Sequence, residues 1–310
     1  MKAMILAAGL GTRLEPLTRI RPKPLFPVLN RPLVGITIEQ LRGMGATAVV
    51  INAHHLADQV EQFVDTGEWG LQVEVRVEPE ILGTGGGIKN CADFLRDAPF
   101  FMVVNADVYH TFDLSPAIRY HRESGNLATL ILCDHPHFNQ VGIDGEGRIV
   151  SVGEELIIPS TSTSKLLTFT GIHIILPQLL DAMPSGGFFG IMELYTELAA
   201  RGEAIRGYQM QGGYWRDIGR VDDYKDLHRD LLGKEGKPMI HPEASLAEGV
   251  HIEGFVCVGK GTRIMKGSFI KDSIIWDEVR IEEGSVVEGC IVGDGTQVAG
   301  EHRGEVLIPG

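Results

Sequence analysis

Cysteine is scarce in this 310-residue chain: Cys91, Cys133, Cys257 and Cys290 lie far apart, with no Cys-x-x-Cys pair. That spacing excludes a disulfide framework or a cysteine-rich zinc site and leaves four small hydrophobes suited to a reducing compartment. Long apolar runs are missing as well. No segment reaches the ~20 apolar residues of a membrane span, and the opening Met1-Lys2-Ala3-Met4-Ile5-Leu6 is too short for the core of a signal peptide. A cytoplasmic protein with no membrane partner is expected. Positive charge is in deficit, with 28 Lys and Arg against 41 Asp and Glu for a net charge of −13, which argues against a nucleic-acid partner. The histidines, His54-His55 and His135-Pro136-His137 among them, have no metal-ligand spacing with an acidic partner. The two commoner phosphate loops are also absent. There is no G-x-x-x-x-G-K-[ST], and Gly9-x-Gly11 is not completed by a third glycine, because position 14 is Leu14.

What is present is concentrated between residues 7 and 29. An apolar run, Met4-Ile5-Leu6, is long enough for one buried strand and leads into Gly9 and Gly11, where backbone lacking Cβ can approach a phosphate and aim N–H groups at it. Arg13 adds a bidentate donor. Lys23 stands between Pro22 and Pro24, which remove two N–H groups and stiffen φ, so its point charge is expected on a rigid, non-helical segment. Together these groups suit a polyphosphate whose departing charge must be stabilised.

The first ~230 residues alternate strand-like and helix-like patterns, predicting an α/β, Rossmann-like, mostly parallel sheet covered on both faces. Strands are expected at 4–7, 48–51, 73–77, 100–104 and 127–132, and helices near 33–44, 56–64, 86–95, 114–122 and 221–232. The ligand crevice of such a sheet lies beyond the carboxyl ends of its strands. From Ile240 the texture changes: Ile240, Leu246, Ile252, Val258, Ile264 and Ile270 recur every six residues, and the register steps back by one before Ile275 and again before Val292. This is the hexapeptide signature of a short left-handed parallel β-helix of roughly three to four turns. The expected domains are 1–232 and 239–310, with Leu231–Pro238 as linker.

The run Gly9-Leu10-Gly11-Thr12-Arg13-Leu14-Glu15-Pro16-Leu17-Thr18 with Pro22-Lys23-Pro24-Leu25-Phe26-Pro27-Val28 resembles the signature of the sugar-phosphate nucleotidyltransferases, or nucleotide-sugar pyrophosphorylases. The resemblance extends to about residue 230, and the repeats resemble the tail of several members, mannose-1-phosphate guanylyltransferases included. It implies transfer of a nucleotidyl group from an NTP to a sugar 1-phosphate, with release of pyrophosphate and a requirement for Mg²⁺. On that pattern Arg13, Lys23 and Asp107 are catalytic. Leu6, Ala8, Gly9, Gly11, Thr12, Arg13, Lys23, Glu78, Gly83 and Thr84 bind the nucleotide, and Asp107 and Asp217 hold the metal.

Asp107 follows Val103-Val104-Asn105-Ala106, and Asp217 sits in Trp215-Arg216-Asp217-Ile218-Gly219, similar to the family's W-x-D-x-G element. Glu78 precedes Gly83-Thr84-Gly85-Gly86-Gly87, and a carboxylate there can accept from both donors on guanine's edge, which tilts the expected base toward guanine. Glu154, Thr170 and Gly171 resemble the sugar-contacting elements, although Glu155 stands where many members have lysine. Lys165 and Lys89 are the alternative cations, and the stretch around Thr170 is similar to N-acetylmuramate-1-phosphate uridylyltransferases. Uridylyl or thymidylyl transfer, a non-catalytic nucleotide-sugar-binding regulator and a hexapeptide-repeat acyltransferase are the competing readings. A homo-oligomer through the repeats is expected.

Overall fold

The computed structural model describes residues 1–157, 164–233 and 237–310; part of the expected linker, 234–236, lies outside the described residues. The chain forms two compact units, one of Met1–Gly9 with Ile36–Asp217 and one of Leu10–Gly35 with Ile218–Gly310. Compactness thus divides the chain differently from the sequence boundary near 232–239. The segment that bears Arg13 and Lys23, and the helix Val221–Leu232, belong with the repeats.

The first unit is built on a ten-stranded mixed sheet. Four strands run parallel in the order Gln72–Val77, Ala48–Ala53, Lys2–Leu6, Phe101–Asn105. Ala48–Ala53 is buried at every position, as a central parallel strand covered on both faces must be. Met4, Val50, Val103 and Leu130 feed one core layer beneath the helices Gly83–Asn90 and Ile191–Ala200. Ile5, Val49, Val104 and Ile131 are equally buried and alternate to the opposite face. Gln72–Val77 is half-exposed at the edge and carries Glu74 and Arg76, charges that discourage edge-to-edge pairing.

Two elements differ from expectation. The helix expected over 86–95 begins three residues earlier, at Gly83, ends at Asn90, and a separate turn covers Ala92–Leu95. Glycines are poor helix formers, but here they admit neighbours: a Cβ on Gly85 would lie 2.1 Å from the Phe189 ring. The eleven-residue strand Lys165–Ile175 was assigned no element by periodicity, yet it pairs antiparallel with Phe101–Asn105 and with Ala128–Cys133. It turns the sheet from parallel to mixed.

In the second unit the repeats form three parallel sheets of five, four and four short strands, the three faces of a β-helix. Val258, Ile264, Ile270, Ile275, Ile281, Val287, Val292 and Val298 fill its interior. Strand partners step by 18 residues from Met239 to Cys257 and by 17 from Cys257 to Ile274 and from Ile274 to Ile291, so each backward step of the aliphatic register is one residue lost at a corner. Among the described residues, no helix is long and apolar enough to cross a membrane.

Four buried histidines make stability depend on pH. Burial pulls His110, His121 and His228 down to about 4 and His173 to about 3. Unfolded, each binds a proton below pH ~6.5; folded, each stays neutral until far lower pH. The unfolded state therefore holds more protons, and stability falls as pH drops from ~6.5 toward 4, by up to about 1.4 kcal/mol per pH unit for each histidine. Urea midpoints should decline steeply between pH 7 and pH 5, and equal midpoints would show these imidazoles protonating in place.

Candidate active site

Three neighbouring parallel strands end level. Leu6 stands in register with Asn52 on one side and with Asn105 on the other, and the turns beyond them are tied together. Asn52 Oδ1 accepts from the Ala7 N–H at 2.8 Å, and Asn52 Nδ2 donates to Glu78 Oε1 at 2.8 Å. Glu78 Oε2 accepts from the Leu82 N–H at 3.2 Å, at the start of the glycine helix. The Ala106 N–H donates to the Leu6 carbonyl at 2.9 Å. Above this edge lies a cavity of about 200 Å³ lined by Leu6, Ala8, Gly9, Asn52, Ile81, Gly83, Thr84, Asn105 and Asp107.

A second cavity, of about 370 Å³, shares Asn105 and Asp107 with the first. Phe138, Val141, Val152, Phe169, Met192 and Trp215 give it apolar walls, and Gln140, Thr168, Thr170, Gly171 and Asp217 also line it. Its floor is a short antiparallel ribbon in which Asp217 pairs with Val108, setting the Asp217 backbone diagonally across from Asp107. Trp215 Nε1 donates to the Thr170 carbonyl at 3.0 Å, and Thr170 Oγ1 donates to the Ile131 carbonyl at 2.8 Å. Gly171 is held at φ +75°, where a Cβ would lie 2.7 Å from Asn105 Nδ2. Only glycine meets both demands without displacing Asn105.

Two half-buried carboxylates, Asp107 in the turn before Val108–His110 and Asp217 on the strand paired with it, line one cavity and fit a hard divalent cation that takes its remaining ligands from phosphate oxygens and water. A crevice with a small nucleoside-sized pocket and a larger partly apolar one, meeting at an aspartate, can hold two substrates end to end. The sequence matches the family model described as Nucleotidyl transferase over residues 2–234, and that described as GMPPB C-terminal domain over 234–305. The chain belongs to the nucleotidyl transferase family. It is 32% identical to a UTP–glucose-1-phosphate uridylyltransferase from Synechocystis sp. over 94% of this chain and 82% of that protein. Identity is also 32% to a mannose-1-phosphate guanylyltransferase from Mycobacterium tuberculosis, over 92% and 82%. The crystal structure of HddC from Yersinia pseudotuberculosis complexed with GMP-PN superposes with a TM-score of 0.60 over 74% of this chain and 99% of that one, at 23% identity, a likeness of fold.

Of the residues the family pattern singles out, Leu6, Ala8, Gly9, Gly83, Thr84 and Asp107 line the smaller cavity, and Asp107, Thr170, Gly171 and Asp217 the larger. Gly11, Thr12, Arg13 and Lys23 lie in the second unit. There Arg13 is exposed on the one-turn helix Thr12–Leu14, while Lys23 is half-buried and opens another, Lys23–Leu25. The segment is thus a chain of single 3₁₀ turns where a non-helical run was expected.

Two residues sit elsewhere than the pattern implied. Glu78 is 1% exposed and is absent from both cavity walls, because its carboxylate is taken by Asn52 and Leu82. Glu154 is exposed at the tip of the hairpin that pairs Val152 with Glu155, and only Val152 of that hairpin reaches the larger cavity. Neither alternative cation is there: Lys89 donates to the Leu180 carbonyl and Lys165 to Gln209. Among the described lining residues of the larger cavity, none is basic.

Asn52 escaped the sequence reading, although it is the one polar side chain of an otherwise apolar strand, next to its last residue. Glu78→Gln tests the clamp that holds Asn52 and the Leu82 N–H. Glutamine offers one acceptor oxygen to two donors, so one N–H loses its partner at a cost of about 1–3 kcal/mol. Nucleotide affinity measured by calorimetry should fall alike for GTP and UTP; a selective loss of GTP would make Glu78 a base contact after all.

Proposed function

We propose that the chain joins a nucleoside triphosphate to a sugar 1-phosphate with release of pyrophosphate, and that the preferred pair is GTP with a hexose 1-phosphate such as mannose 1-phosphate. The observation that carries this reading is the meeting of the two cavities at Asp107. The smaller would take the nucleoside and the larger the sugar, whose ring faces suit Trp215 and Phe138. An oxygen of the sugar phosphate attacks the α-phosphorus, a new P–O bond forms, and the bond to the β-phosphate oxygen breaks as pyrophosphate departs. No covalent enzyme intermediate is needed, so the chain's task is positioning and charge stabilisation.

In this scheme Arg13 grips the β- and γ-phosphates and Lys23 the α-phosphate and the leaving oxygen. Asp107 and Asp217 would hold Mg²⁺, which when bound neutralises phosphate charge. With no basic residue among the described lining of the larger cavity, that neutralisation matters most for the acceptor. The preference for guanine is supported by the match of residues 234–305 to the GMPPB C-terminal domain and by the guanylyltransferase relative, no longer by a direct contact from Glu78. The uridylyltransferase relative, equally identical over slightly more of the chain, favours a second reading, uridylyl transfer. Against a non-catalytic regulator, Lys23 and both aspartates are present. Four cysteines free of disulfides accord with work in the cytoplasm, and the flat faces of the repeats suit self-association.

Pyrophosphate release measured across four NTPs and several sugar 1-phosphates should be highest with GTP; faster turnover of UTP for every sugar selects uridylyl transfer. Lys23→Ala and Arg13→Ala should fold and each lose at least ~100-fold in kcat/KM, the scale for removing one charge-stabilising donor. Activity should vanish in excess EDTA and return with Mg²⁺, and Asp107→Asn or Asp217→Asn should require far more of it. A wild-type Mg²⁺ titration for Asp217→Asn would remove that residue from the metal site.

A further inference from the structure

The residues flanking Lys23 are fastened to the β-helix from both sides. Two positions before it, Arg21 Nη2 donates to Asp277 Oδ2 at 2.9 Å and to Asp294 Oδ1 at 2.8 Å. The Arg21 side chain is only 16% exposed, and its guanidinium lies 5.2 Å from the centre of the Trp276 ring. The two carboxylates occupy the same corner of successive coils, 17 residues apart, and each is fixed by the coil before it. Asp277 Oδ1 accepts from the Lys260 N–H at 2.8 Å, and Asp294 Oδ1 from the Asp277 N–H at 3.1 Å. The acceptors for Arg21 are therefore held in place by β-helix backbone.

Three positions after Lys23, Phe26 meets Trp276 edge-on at 4.8 Å between ring centres and Tyr224 at 5.6 Å. Tyr224 donates its hydroxyl hydrogen to the Pro27 carbonyl and accepts from Trp276 Nε1 at 3.1 Å. Farther on, Asn30 Nδ2 donates to the Val258 carbonyl at 2.8 Å, and Cys257 Sγ donates to Asn30 Oδ1 at 3.1 Å. Pro22 and Pro24 are buried on either side of the lysine. Lys23 thus has almost no slack of its own, and its backbone goes where Arg21 and Phe26 are held.

Burying a guanidinium with two carboxylates gains little stability over an apolar contact of equal size, but it fixes one geometry. We propose that the β-helix serves the reaction by holding the Lys23 segment, and that Arg21, through Asp277 and Asp294, is a positioning residue for nucleotidyl transfer. The inference rests on the catalytic role proposed for Lys23.

The test uses full-length protein and reads kcat per folded enzyme. Arg21→Gln should lower kcat by about 10- to 100-fold, on the scale of losing orientation of one catalytic group, and leave KM for the sugar 1-phosphate within about two-fold. Arg21→Lys keeps the charge without the planar guanidinium that lies over the Trp276 ring and should recover part of the loss. Asp294→Asn, a milder change that retains an oxygen for the Asp277 N–H, should move kcat in the same direction. In a Lys23→Ala background, Arg21→Gln should cost nothing further, since a residue acting through Lys23 has nothing left to position. A fully active Arg21→Gln beside an inactive Lys23→Ala overturns the positioning role alone, as do additive losses in the double variant. A fully active Lys23→Ala removes Lys23 from the reaction and takes the underlying assignment with it.

Discussion

A parallel sheet delivers its strands to one edge, and here the levelness of that edge decides where the substrates can sit. Leu6, Asn52 and Asn105 end side by side, and a buried carboxylate, Glu78, joins the second of these strands to the glycine helix. A carboxyl group at 1% exposure is tolerable because a strand side chain, Asn52, and the Leu82 N–H ahead of the glycine helix both donate to it. Through Asn52 and the Ala7 N–H the same clamp reaches the entrance of the glycine loop. Both cavities open beyond this one tied edge, and both take Asn105 and Asp107 as walls.

The sheet also explains why the larger cavity has the walls it has. Lys165–Ile175 enters antiparallel beside Phe101–Asn105 and brings Thr168, Phe169, Thr170 and Gly171 past the end of the parallel strands. The Trp215 indole closes over it, bonded to the Thr170 carbonyl. A single long strand thereby supplies one side of the pocket, and the ribbon with Asp217 supplies the floor.

Strands with continuous apolar runs, such as Ala48–Ala53, and helices with a clear stripe, such as Ala57–Thr66, were legible in the sequence because burial imposes the period directly. So was the six-residue repeat, with one residue lost before Ile275 and one before Val292, although the last coil, stepping by 15 from Ile291 to Val306, is shorter still. Lys165–Ile175 was not legible, since what makes it a strand is partners more than 20 residues away in sequence. Asp107, Thr170, Gly171 and Asp217 could be chosen from motifs because glycines and aspartates at strand ends carry chemistry. Glu78 shows the limit of that approach: residue type and place in sequence suggested a base contact, whereas two donors that periodicity cannot reveal occupy its oxygens. The attachment of residues 10–35 to the repeats was invisible for the same reason, because Arg21 and Asp294 are 273 residues apart.

Repeat arrays ordinarily lengthen or shorten by whole coils, each new unit burying the face of the last. One coil inserted between Asp277 and Asp294 would carry the second carboxylate about 4.8 Å along the axis, the spacing of adjacent strands. Arg21 would then span one aspartate and lose the other. Its Nη2, donating to both carboxylates, acts as a gauge of coil spacing that fits these two neighbours and no pair set farther apart. The array is consequently closed to growth within the coils that Arg21 bridges and open beyond Val298, where an extra coil would disturb nothing that the arginine touches.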